Sequence, residues 1–139
     1  MAEVATPLGV RAIGAFFIFG ACMSGVSLAS LLTPGSALEV IWQVNPQARE
    51  TFAAMGFGAL ILMSAVCLAC ALAAIGLLRR LPWARLLAIV ILTVNMIGDS
   101  AAAVVRADPR TLVGLPIAAL LIAYLMGNKV KSWFGVLDA

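Results

Sequence analysis

Long apolar runs separated by short polar punctuation account for nearly the whole chain. Four runs, at about 8–33, 48–78, 84–106 and 110–127, approach or exceed the length of about 20 residues that an apolar helix needs to cross ~30 Å of hydrocarbon. Thr6-Pro7 reads as an N-cap followed by proline at the first helical position, and Asn45-Pro46 and Asp108-Pro109 repeat the device. Ser27-Leu28-Ala29-Ser30 has some likeness to a signal cleavage site, but the first run is longer than an h-region of about 7 to 15 residues and reads as a retained span. The second run exceeds the hydrocarbon thickness at ~1.5 Å per residue, so it is expected to tilt or protrude. Pro116 falls in the second turn of the fourth run, where it is expected to kink the helix or free a carbonyl.

Between the first two runs, Pro34-Gly35 stops one helix and Ser36-Ala37-Leu38-Glu39 has the form of a capping box. The short helix it opens, at about 36–44, has Leu38, Ile41 and Trp42 on its apolar side. Too short to span, it is expected to lie in the interface with Trp42 at headgroup level, idle or gating an outer cavity. The tail from Gly127 reads as a basic-aromatic interfacial segment. The pattern thus predicts an all-α membrane protein: a single domain, 1–139, of four transmembrane helices and one interfacial helix.

Composition strengthens this picture. The chain is 64% hydrophobic and 11% charged with a mean hydropathy of +1.13, where a soluble domain carries about 25% charged residues. There is no internal repeat or low-complexity segment. The net charge of +3 comes from cations at the ends of apolar runs, which makes them topology signals and excludes a nucleic-acid surface. With both termini inside, six cations (Arg11, Arg79, Arg80, Arg85, Lys129, Lys131) lie on the cytoplasmic face against three (Arg49, Arg106, Arg110) outside, which predicts an N-in, C-in topology. Trp83 and Trp133 then mark the inner interface and Trp42 the outer one, in what reads as a bacterial cytoplasmic (inner) membrane.

Candidate chemistry is sparse. The chain has no histidine, which removes His-based metal, haem and general-base sites, and no metal or cofactor is expected. Cys67-Leu68-Ala69-Cys70 is formally a CxxC pair, but it lies mid-span with no helix N-terminus or cation to activate a thiol, and quinone-linked thiol oxidoreductases also need loop cysteines. Packing is the expected role, and an enzyme is not expected. Gly20, Ser24 and Ser27 give the first span a small-residue stripe, and Ala53, Gly56, Ser64, Cys67, Ala71 and Ala74 give the second a seam for close helix contact. The hairpin Arg79 to Arg85, with Trp83, reads as a positive-inside anchor or a contact for anionic lipid.

Asp99 is the acidic side chain that lies inside an apolar span, the second run being apolar from Thr51 on, and a carboxylate at a span centre costs ~2.5 to 3.5 kcal/mol. Asn95 and Arg106 share its helix face. Pairing with Arg106 or protonation would offset the cost. Two roles fit: a proton or cation site lining a path, or a structural pin bonded across to Ser24, Ser27, Ser64 or Tyr124.

The run Gly76-Leu77-Leu78-Arg79-Arg80-Leu81-Pro82-Trp83-Ala84-Arg85-Leu86-Leu87-Ala88-Ile89, with Gly98-Asp99 and Asp108-Pro109-Arg110-Thr111-Leu112-Val113-Gly114-Leu115-Pro116, resembles a diffuse group of small uncharacterised bacterial four-span membrane proteins. The resemblance covers the last three spans and implies architecture, not activity. Small multidrug exporters share the size and span count, but their hallmark glutamate within the first span is absent, since Glu3 precedes that span and Glu39 follows it. The expected function is a non-enzymatic accessory, assembly or structural subunit, as a homo-oligomer or in a larger membrane complex. The alternative is a small ion, proton or solute transporter using Asp99 and Asn95.

Overall fold

The computed structural model describes residues 5–107 and 109–136. Its regular elements are helical throughout: α1 (Leu8–Leu32), a 3-10 segment (Ala37–Gln43), α2 (Pro46–Met55), α3 (Phe57–Leu78), α4 (Pro82–Arg106), a second 3-10 segment (Pro109–Val113), α5 (Gly114–Met126) and α6 (Asn128–Trp133). Helices α1, α3 and α4 are long and apolar enough to cross a membrane, and α5, with 13 residues, is a shorter apolar helix of about 20 Å. The chain is therefore a small helical membrane protein.

Two runs come out differently from their patterns. The run at 48–78 is two helices, because Gly56 takes φ 56° and ψ −125° at the end of α2, a conformation open to glycine and strained for other residues. Its excess length is taken up by this break and not by a single long tilted helix. In the run at 110–127 the α-helix begins only at Gly114, which puts Pro116 in the first turn. The first N–H groups of an α-helix have no α-helical acceptor, so the proline there forfeits no α-helical hydrogen bond. The cap at Asp108 falls outside the described residues.

The chain divides into two compact units, one made of Met1–Phe16 with Leu72–Ala139 and the other of Phe17–Ala71. In the first, α4 turns alternate faces in and out. Ala84, Ala88 and Leu92 are buried, while Leu86, Val90, Val94 and Ile97 are exposed, which is one helical face repeating every three to four residues. Small residues let backbones approach closely here: a side chain at Gly76 would collide with Ala84 and meet the Trp83 ring at 3.1 Å, and one at Gly14 would meet Leu78 at 3.1 Å. Gly9 lies directly under the Tyr124 ring. Val130, Trp133 and Phe134 are buried as well, so this part of the tail is a packed helix.

In the second unit the linker between α1 and α3 folds into a small cap. Trp42 is buried at 7% exposure, with its indole N–H donating to the Ser30 hydroxyl at 2.8 Å and its ring 5.8 Å from that of Phe52. It is therefore packed within the cap. The capping box at Ser36 does not form, since that side chain makes no cap hydrogen bond, and Glu39 instead pairs with Arg49 at 2.7 Å. Asn45 does cap α2, accepting from the Ala48 N–H at 3.1 Å with Pro46 following it.

Candidate functional site

Helix α4 starts on Pro82 and ends at Ala107 in a left-handed C-cap, with Arg106 in its last turn, where a cation complements the carbonyl end of the helix. At 100° per residue, Asn95, Asp99 and Arg106 fall on the same face as Ala84, Ala88 and Leu92. That face is buried through Leu92 and then opens: Asn95 is exposed and Asp99 only half-buried. The carboxylate of Asp99 points at the first residue of α5, so close that a Cβ on Gly114 would stand 3.0 Å from Oδ2. Glycine at this position is what lets the acid lie against the N-terminal turn of α5, the positive end of its helix dipole. Asn95 makes no side-chain hydrogen bond among the described residues. Ser100, one residue beyond Asp99, is exposed and donates to the Met96 carbonyl at 2.7 Å.

Of the cross-helix partners expected for Asp99, Tyr124 lies against Gly9, at the opposite end of α5 from Gly114. Ser24 turns back on its own helix, donating to the Gly20 carbonyl at 2.8 Å. The residue that the sequence reading overlooked is Gly114. Its signal was its place just ahead of Pro116, which marks a helix start, but nothing in the sequence says which side chain would stand over it.

Cys67 and Cys70 lie against α1, whereas Cys22 is exposed. Cys67 donates its thiol to the Ala21 carbonyl at 3.4 Å, and a Cβ on Gly25 would lie 3.7 Å from its sulfur; Cys70 is buried, with the corresponding position over Gly20 at 3.5 Å. Glycines on α1 thus face sulfurs on α3 at van der Waals distance. Cys22, Cys67 and Cys70 are all free thiols. In the seam expected on this run, Ala74 is buried and Ser64, Cys67 and Ala71 are half-buried, whereas Ala53 and Gly56 precede α3 and are exposed.

A second polar cluster lies at the other end of α4. Arg85 donates through Nε to the Leu125 carbonyl at 2.7 Å, and Arg80 through Nε to the Trp133 carbonyl, with its guanidinium 5.5 Å from the Trp133 ring centroid. These bonds satisfy carbonyls at the C-terminal ends of α5 and α6, which have no acceptor role left inside their helices. The Trp133 indole N–H is buried and has no partner among the described residues. Arg79 is exposed, and Trp83 is 48% exposed.

A cavity of about 330 Å³ opens beside the Glu39–Arg49 pair in the cap, lined by Ser30, Trp42 and Phe52 among others. Groups of three or more His, Cys, Asp or Glu able to hold a metal ion are absent among the described residues. Neither a protein-family model, nor a curated protein, nor a solved structure matches this chain.

Proposed function

We propose that this chain is a non-enzymatic membrane subunit that works by packing against other helices, as an accessory or assembly component or as a homo-oligomer. It crosses a bacterial inner membrane four times with both termini inside. The observation that carries this reading is the open half of the α4 face. Asn95, exposed and without a hydrogen bond among the described residues, sits where the preceding turns of the same face are covered. In hydrocarbon a carboxamide gains by finding a partner on another helix, by about 0.6 to 2 kcal/mol. The spans also leave ample surface for partners: 11%, 28% and 11% of the most apolar windows of α1, α3 and α4 are buried within the chain, so lipid or other helices must cover the rest. The fourth crossing is supported by geometry too, since the 3-10 segment at Pro109–Val113 and α5 would together reach about 30 Å if continuous.

Asp99 favours a second reading, a small ion or proton transporter, because its carboxylate and Asn95 lie on one open face. Two measurements separate the readings. Self-association or stoichiometric co-purification with a membrane complex, weakened by Asn95→Leu, supports the packing role. Ion or proton flux in liposomes containing the purified protein, abolished by Asp99→Asn, would overturn it.

A further inference from the structure

We infer that the corner formed by the turn between α3 and α4 and the end of α6 is a binding site for the phosphate of an anionic phospholipid headgroup, held by Arg80 and Arg85. The proposal goes beyond the packing role and does not depend on it. Each of these guanidinium groups is fixed through Nε to a helix-end carbonyl, Arg80 to Trp133 and Arg85 to Leu125. Neither has another acceptor among the described residues, so each keeps terminal N–H groups in the planar fork that matches phosphate oxygens. Holding the side chains this way removes much of the ordering cost that binding would otherwise incur. Beside Arg80, the Trp133 indole N–H is buried with no acceptor among the described residues. Among the described residues, the corner thus carries more donors than its two helix-end carbonyls can use.

Charge and position indicate which acceptor fits. Arg79, Lys129 and Lys131 add to the cationic character, and the acidic side chain described in this unit, Asp99, is about 25 Å along α4 from Pro82. The field therefore favours a net negative ligand over a zwitterion. The half-exposed Trp83 at the start of a membrane-length helix places the corner at headgroup depth. The shared chemistry is a phosphate group, and the membrane is the source that the location favours.

The test uses the full chain in nanodiscs containing phosphatidylcholine and phosphatidylglycerol, with lipids retained on the released protein identified by native mass spectrometry. Phosphatidylglycerol should be retained in preference to phosphatidylcholine. The double variant Arg80→Lys/Arg85→Lys keeps the charge but loses the fork, and should reduce that preference about fivefold with helicity unchanged. Equal retention of the two lipids, or an unchanged preference in the folded double variant, would overturn the site. Displacement of the lipid by millimolar inorganic phosphate would assign the corner to a soluble anion and sink the lipid assignment. If the double variant does not fold, a Trp42→Phe/Trp83→Phe chain leaves Trp133 as the sole fluorophore. Its emission should then be quenched more strongly by brominated phosphatidylglycerol than by brominated phosphatidylcholine, and equal quenching would reject the proposal.

Discussion

At the scale of single residues, the side chains that matter are those whose polar atoms had to be satisfied away from water. Trp42 shows how this works: its indole N–H is inside the cap, and Ser30, twelve residues earlier, supplies the acceptor. Trp42→Phe should cost about 1 kcal/mol and leave the Ser30 hydroxyl without its donor. Thermal unfolding in detergent of Trp42→Phe, Ser30→Ala and the double variant forms a cycle. The two single losses should fail to add, because both remove the same bond. Trp42 could be identified as amphipathic from sequence, but its partner could not. The same is true of Glu39, which had two eligible partners locally and took the cation of Arg49 in place of the helix N-terminus.

At the scale of elements, two backbone positions set where helices start and stop. Gly56 separates α2 from α3 with open space around it, so the obstacle to a side chain there is the backbone conformation and not a clash. Gly56→Ala should destabilise the protein by about 1 to 3 kcal/mol or straighten the break, read as a lower melting temperature or a changed helical content by circular dichroism. Pro116→Ala should do little, less than about 0.5 kcal/mol, because the proline occupies a first-turn position where no hydrogen bond is lost. A proline in a helix interior would cost about 3 kcal/mol, so a large change on removing it would contradict the observed helix start. Gly76 is limited in the other way, by packing. Gly76→Val should push Ala84 and Trp83 away and lower the yield of folded protein, measured as the monodisperse fraction after detergent extraction.

At the scale of the whole molecule, four contacts gather helix ends in the unit that holds α4 and α5. Gly9 meets Tyr124, Gly14 meets Leu78, Arg80 meets Trp133 and Arg85 meets Leu125. The start of α1, the turn between α3 and α4 and the ends of α5 and α6 therefore share one end of this unit, and the cations Arg11, Arg79, Arg80, Arg85, Lys129 and Lys131 are carried by those segments. In the proposed topology, with both termini inside, this end would be the cytoplasmic one. Cysteines introduced at Ala5 and Val136 in a chain lacking the native thiols should both resist an impermeant thiol reagent in intact cells and react after permeabilisation. Labelling of only one would require an odd number of crossings.

The sequence by itself determined that the chain is helical and apolar, where three of the helices lie, and which residues are costly in a bilayer. These follow from run length, hydropathy and the placement of cations, all of which are local quantities. Only the tertiary structure decided that the second run breaks at Gly56, that Trp42 and Trp133 are packed, that Asp99 lies against Gly114, and that Arg80 and Arg85 hold helix-end carbonyls. The physical reason is the same in each case. A polar group or a glycine shows its own need in the sequence, whether for a donor, an acceptor or a close approach. The atom that meets that need comes from a segment that only folding brings near.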